Sequence, residues 1–118
     1  MSTASAFSFD PVQFDRLFPF HMLLDSGLAI ERCGPGLGKL MPDIAGYSFA
    51  DLFTVLRPET PLLNYDSMRG LTNQLVVVCS HDKLLMFRGS VEDMSGTSQL
   101  LFVGSPWFSS MDQVKEKR

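Results

Sequence analysis

Residues 74–104 constrain the fold most, because they contain three strand patterns separated by two short turns. Residues 76–78 are three consecutive valines, a β-branched run typical of a buried strand. Polar residues 80–83 and the Ser-Gly-Thr sequence at 95–97 supply the turns, and Pro106 ends the third strand. The predicted strands are Gln74–Ser80, Leu84–Met94 and Gln99–Gly104. Strands joined in this way predict an antiparallel meander, a sheet that needs another layer to cover its apolar face.

The N-terminal part of the chain predicts a short amphipathic helix. Asp10 and Gln13 have the spacing of a capping box, and Pro11 suits the first helical position. Pro19 disfavours helical backbone at the residue before it, so the helix should cover about residues 11–17.

Two further strand patterns follow, at residues 20–25 and 28–33, and the turn sequence Asp25-Ser26-Gly27 separates them. This pattern predicts a β-hairpin. Leu37, Leu40 and Met41 then suggest one or two helical turns that stop at Pro42.

Two more helices are predicted between the hairpin and the meander. Ser48 and Asp51 have the spacing of a capping box, and Pro58 closes the segment. The apolar residues between them fall on one helical stripe: Phe49, Leu52, Phe53 and Leu56. The segment Asn64–Leu71 is a further helix, and the last helix begins near Ser110 and carries Met111 and Val114.

Length and charge limit the classes of protein to consider. A chain of 118 residues fits one domain with one core. The net charge of −3 argues against a nucleic-acid-binding face, which needs clustered basic residues. No apolar run approaches the roughly 20 residues of a membrane span, and the N-terminus lacks a secretory signal pattern. We expect a cytoplasmic protein in which Cys33 and Cys79 are buried, reduced structural thiols.

Several short motifs together resemble a known family, and the resemblance covers residues 17–114. They are Leu17-Phe18-Pro19-Phe20-His21-Met22-Leu23-Leu24-Asp25, Cys33-Gly34, Leu40-Met41-Pro42, Leu56-Arg57-Pro58 and Leu101-Phe102-Val103-Gly104-Ser105-Pro106. This set resembles the PAS-like domain associated with haem–nitric-oxide-binding domains, which occurs in soluble guanylate cyclases and in bacterial signalling histidine kinases. The compact stretch at 61–84 favours the bacterial kinase branch.

The resemblance implies an α+β, PAS-like fold, in which a five-stranded antiparallel sheet carries short helices on one face and a flanking N-terminal helix. It implies an N-terminal extension at 1–10, a PAS-like domain at 11–108 and the start of a C-terminal connector helix at 109–118. It also implies that the haem sits on a neighbouring domain, so we expect no cofactor, metal or catalytic activity here.

The residues themselves give little support for a metal or catalytic site. His21 lies among apolar residues and is interpreted as a hydrogen-bonded core residue, while His81 lies in a polar turn. These histidines and the two cysteines lack the spacing of a metal site. Glu92 and Asp93 are adjacent, so a strand would point them to opposite faces.

We place the function at the termini, because the sheet has a second face that its own helices leave open. The candidate dimer interface consists of Phe7, Phe9, Phe14, Leu17, Phe18, Met111 and Val114. The expected partners are a second copy or a related domain, together with the neighbouring haem-NO-binding and output domains. Two alternatives stay open at this point: a PAS sensor that binds a small apolar ligand in its own cavity, and an enzyme fragment.

Overall fold

The computed structural model describes residues 9–82, 84–94 and 96–107 of the chain. The elements in chain order are α1 Pro11–Leu17, β1 His21–Leu24, β2 Ile30–Cys33, α2 Pro35–Leu40, α3 Phe49–Leu52, β3 Phe53–Arg57, α4 Tyr65–Arg69, β4 Val76–Ser80, β5 Met86–Met94 and β6 Gln99–Pro106. The α+β class predicted from the sequence is confirmed. The expected N-terminal extension, apart from Phe9 and Asp10, and the predicted last helix lie outside the described residues.

All six strands belong to one antiparallel sheet with the order β2-β1-β6-β5-β4-β3. The hairpin and the meander predicted from the sequence are both confirmed. They are joined where β1 pairs with β6, with Met22 opposite Phe102 and Leu24 opposite Leu100. The prediction of five strands is wrong, because β3 adds a sixth strand at the edge beside β4.

The additional strand replaces most of a predicted helix. The helix α3 ends at Leu52 after one turn, and Phe53 then pairs with Ser80 in the sheet. Ser48 makes no side-chain capping bond, so the capping box expected there is also wrong. Pairing with β3 satisfies backbone groups of β4, all of whose residues are buried, and this outweighs the local helical spacing.

The helix α1 forms as its sequence predicts. The carboxylate of Asp10 accepts a hydrogen bond from the backbone N–H of Gln13 at 2.8 Å, and the Gln13 side chain accepts from the N–H of Asp10 at 3.0 Å. In the hairpin turn, Asp25 Oδ1 accepts from the N–H groups of Gly27 and Ala29, which fixes the reversal between β1 and β2.

One face of the sheet carries the hydrophobic core, covered by α2, α3 and α4. Each of these helices contributes a buried side chain to it: Leu37, Phe49 and Met68. Four fully buried phenylalanines lie in this layer: Phe49, Phe53, Phe87 and Phe102. The rings of Phe49 and Phe53 stack at 5.1 Å, and Phe87 contacts Phe53 edge-on at 6.5 Å. None of the described helices combines the length and the apolar character needed to cross a bilayer.

Candidate interface on the outer face of the sheet

The face of the sheet opposite the core, called here the outer face, is where α1 packs. Residues opposite each other in an antiparallel pair point to the same side, so the register identifies this face. His21 lies opposite Val103, and Leu23 lies between Leu101 on one side and Arg32 on the other. These side chains alternate with the buried core residues of β1 and β6.

Aromatic rings attach α1 to the outer face. The Phe14 ring lies 4.9 Å from the Phe18 ring and contacts the His21 imidazole edge-on at 4.8 Å. Phe9, just before the helix, contacts Phe18 edge-on at 6.4 Å. Three of the predicted interface residues thus form one cluster around His21.

His21 lies beneath this cluster and is only 1% exposed. Its Nδ1 lies 2.9 Å from the carbonyl oxygen of Phe18, and because a carbonyl only accepts, Nδ1 carries the hydrogen. Its Nε2 lies 3.9 Å from Asp15 Oδ1, which is beyond hydrogen-bonding distance. The sequence-based interpretation of His21 as a buried, hydrogen-bonded residue is confirmed, but it lies beneath α1 on the outer face and not in the hydrophobic core.

A second polar contact joins α1 to the sheet at the protein surface. Arg32 Nη2 of β2 donates to Asp15 Oδ1 of α1 at 2.9 Å. Both side chains are partly exposed, so the pair should contribute at most about 1 kcal/mol to stability. This ion pair bridges 17 residues of sequence, and sequence reasoning did not identify it.

A groove remains between α1 and the outer face. Its volume is about 270 Å³. Most of its lining is apolar, and the lining residues are Phe9, Pro11, Phe14, His21, Leu23, Arg32, Met94 and Leu101. The groove is lined by residues of α1 and of the four strands β1, β2, β5 and β6, so it depends on how these elements pack together.

Four of the seven predicted interface residues lie in or beside α1, and three of them, Phe9, Phe14 and Phe18, contact one another. Phe14 and Phe18 are partly buried against the sheet, whereas Leu17 is 55% exposed and Phe9 is 47% exposed. Val12, which the sequence analysis did not select, is 63% exposed on the same helix. The remaining three predicted residues, Phe7, Met111 and Val114, lie outside the described part of the chain.

Sequence reasoning also missed the sheet residues of this surface, Leu23, Met94 and Leu101. A signal for one of them was present: residues 100–103 form an uninterrupted apolar run, which is typical of a strand covered on both faces. Leu100 and Phe102 fill the core, and Leu101 and Val103 therefore lie on the outer face.

The remaining candidate residues lie apart from this surface. Burial raises the pKa of the half-buried Cys33 thiol, and the buried Cys79 donates from Sγ to the carbonyl oxygen of Ser80. His81 is exposed, as its polar turn predicts, and its Nε2 lies 3.1 Å from the carbonyl oxygen of Phe53. Among the described residues, no three His, Cys, Asp or Glu side chains are close enough to hold a metal ion.

Comparisons with known proteins identify the family. Residues 7–86 match the sequence profile of the family described as Heme NO binding associated. Guanylate cyclase soluble subunit alpha-1 of Rattus norvegicus is 34% identical over 104 residues, which cover 79% of this chain and 15% of that protein. Guanylate cyclase soluble subunit alpha-2 of Homo sapiens is 23% identical over 111 residues, which cover 86% of this chain and 15% of that protein.

A shorter match, 41% identical over 49 residues, occurs with soluble guanylate cyclase gcy-33 of Caenorhabditis elegans and covers 42% of this chain. The chain therefore spans about 15% of the length of the alpha subunits that it matches. The profile match covers well over half of the chain, and it agrees with the motif-based resemblance. The chain belongs to the Heme NO binding associated family.

Proposed function

We propose that this chain is a PAS-like dimerisation and signal-relay module of a haem- and nitric-oxide-responsive signalling protein. The observation that carries the proposal is the apolar groove between α1 and the outer face, together with the exposure of Phe9, which lines it, and of Val12 and Leu17 on α1. Apolar side chains gathered on one small helix would lose unfavourable contact with water if another polypeptide covered them. The module binds protein segments and is not itself an enzyme.

The element order supports the PAS-like part of the proposal. Without β3, the chain has two strands, a helical excursion and a three-strand meander, which is the PAS element order. In this description β3 is an addition at one sheet edge, far in the strand order from the β1 and β6 strands that carry the interface.

The proposed partner is a second copy of the chain or a related domain. A two-fold pair would place the same surface on both partners, and this is the commonest symmetry of small oligomers. The relatives are named as subunits, which supports an assembly with a related chain. We further propose that the module works in the cytoplasm, beside a haem-NO-binding domain and an output domain.

The class of output domain does not change the proposal. The compact segment at 61–84 favours a histidine kinase, whereas the matched relatives are guanylate cyclase subunits. Either effector could receive a shift in the packing of two protomers through the segment that follows β6. The strand β6 suits this role, because Leu101 of β6 lines the groove beside α1 and the strand ends next to β5, where Trp107 donates to the carbonyl oxygen of Met86.

Sedimentation velocity of the chain tests the proposal. We expect a dimer that Leu17→Asp converts to a folded monomer, because a buried unpaired carboxylate is costly at an interface. Leu17 suits this test better than Phe14 or Phe18, whose partly buried rings also stabilise the monomer. The matched control is Leu84→Asp, which changes a 78% exposed leucine in the β4–β5 turn and should leave the dimer intact.

A dimer that survives Leu17→Asp, or a wild-type chain that stays monomeric, would refute the proposed interface. The competing sensor function requires a ligand between the sheet and the helices, where the buried phenylalanine rings pack. Native mass spectrometry of the same samples distinguishes the two functions, because a bound small molecule adds a defined mass to each protomer.

A further inference from the structure

We infer that α1 is a strap that opens from the outer face while the core of the domain stays folded, and that the Asp15–Arg32 ion pair and the His21–Phe18 hydrogen bond hold it closed. Opening of α1 would occur whether or not the chain dimerises. Its use to regulate the dimer rests on the proposed function.

The small size of α1 is the first reason. The helix has seven residues, and none of them is buried. Isolated helices of this length are unstable in water, so α1 depends on its contacts with the sheet. Those contacts are few compared with the core, and elements attached in this way open locally at low free-energy cost.

The groove is the second reason. A space of about 270 Å³ separates part of α1 from Leu23, Met94 and Leu101, so the helix does not bury the outer face completely. Closing therefore removes less apolar surface from water than a fully packed helix would, and opening costs correspondingly less.

The polar contacts determine the closed position. Arg32 reaches Asp15 in the middle of the helix, and His21 donates to Phe18 at its C-terminal end. When α1 opens, water can replace both partners of the exposed ion pair, whereas His21 moves from a 1% exposed site into contact with solvent. These two polar contacts thus set where α1 lies on the outer face when it is closed.

Amide hydrogen exchange, followed by NMR on the whole chain at a concentration where it is monomeric, tests this inference. The amides of Phe14 and Phe18, which are bonded within α1, should exchange at least ~100-fold faster than core amides of β5 and β6. Their exchange should respond weakly to low concentrations of urea, because opening the strap exposes little surface.

Two matched variants identify the attachment. Arg32→Ala should speed exchange of the α1 amides by about two- to fivefold, the range expected for loss of a surface ion pair. Arg69→Ala removes a comparable exposed pair, between Arg69 and Asp93 at 3.1 Å, and should leave α1 exchange unchanged. Core amides exchange by global unfolding. Both variants should speed this exchange, since the folded chain loses the stabilisation of an ion pair that the unfolded chain never has.

The histidine is tested by a pair of substitutions. His21→Leu removes the donor to Phe18 and should speed α1 exchange, whereas His21→Asn can retain a donor and should restore part of the protection. If either histidine variant fails to fold, the comparison of Arg32→Ala with Arg69→Ala still decides whether α1 opens as a strap. The strap would be overturned if the α1 amides exchanged only at the rate of global unfolding, and if Arg32→Ala and Arg69→Ala changed that exchange equally.

The same measurement at higher protein concentration separates this inference from the proposed function. If a second copy covers α1, its amides should become more protected as dimer forms. Fast α1 exchange at every concentration supports the strap and contradicts the dimer interface. Slow, global exchange at low concentration contradicts the strap and leaves the sedimentation test to decide the interface.

Discussion

Gly34 lies where the start of α2 approaches the turn before β1 most closely. A Cβ atom at this position would overlap the carbonyl oxygen of Pro19 and would lie 2.9 Å from His21 Nδ1. The Gly34 N–H also donates to the carbonyl oxygen of His21 at 2.9 Å, so neither segment can move away without loss of this bond. This contact fixes the backbone around Pro19 and His21, which connects α1 to β1.

Gly34→Ala should therefore lower the free energy of unfolding by about 1–3 kcal/mol, the usual cost of overpacking. The control is Gly38→Ala in the helix α2 that Gly34 precedes, where the nearest atom to a new Cβ is Cys33 Sγ at 3.9 Å. Alanine is favoured over glycine in a helix by up to about 1 kcal/mol, so Gly38→Ala should stabilise the protein. Urea unfolding of both variants measures the difference, and equal effects would contradict the close packing at Gly34.

The structural role of a single residue could be predicted where that role depends on neighbours in the sequence. Asp10, Gln13 and Pro19 set the ends of α1 by interactions within a few residues, and the structure agrees. Arg32 could not be assigned a role in this way, because its partner Asp15 is on α1 and only the paired sheet brings the two together. Long-range polar contacts of this kind leave no periodic signal in a sequence.

At the scale of elements, the apolar residues in and before β3 fit both the periodicity of a helix and that of a strand. Phe49, Leu52, Phe53 and Leu56 are spaced as on a helix. Within the same segment, Phe53 and Val55 are buried while Thr54 and Leu56 are exposed, which is the period of a strand. The β-branched residues Thr54 and Val55 favour the strand, and the free edge of β4 supplies its partner.

The turn between β4 and β5 depends on Asp82. Its carboxylate accepts hydrogen bonds from the Ser80 hydroxyl and from the backbone N–H of Leu84, and these bonds lower the pKa of Asp82. A carboxyl whose pKa is lower in the folded than in the unfolded state stabilises the fold above its unfolded pKa. That contribution disappears as the pH falls through the folded-state pKa.

Asp82→Asn should consequently lower the thermal midpoint at pH 7, and its difference from the wild type should shrink as the pH falls below about 4, the ordinary pKa of an aspartate. Glu59→Gln removes an exposed carboxylate elsewhere and should change the midpoint little at either pH. Differential scanning calorimetry across this range checks the sign. A difference between Asp82→Asn and the wild type that grows at low pH would contradict the hydrogen-bonded turn.

At the scale of the whole molecule, the order of elements was predictable and their joining was not. The hairpin, the meander and α1 follow from local turns and periodicity, so five of the six strands were found. The pairing of β1 with β6 joins residues 21–24 to residues 100–103, and the groove exists only because of that pairing. The proposed binding surface is built from distant segments and therefore forms only when the chain folds.

Two layers with different packing give the molecule its proposed behaviour. In the part of the chain that the structure describes, the core side is filled by buried aromatic and aliphatic residues, whereas the outer side carries the short helix α1, the groove and the polar contacts of Asp15 and His21. If α1 opens as we infer, the proposed partner at α1 would act on the outer face of the sheet without disturbing the core.

The most direct test of the central claim is site-specific photo-crosslinking between copies of the chain. Benzoylphenylalanine placed at Val12, on the exposed side of α1, should give a covalent dimer on irradiation, and Leu17→Asp should abolish it. The same photoreactive residue placed at Leu84 should give none. Dimer crosslinking at residue 84 but not at residue 12 would show that the copies meet elsewhere, and the interface proposed at α1 would be wrong.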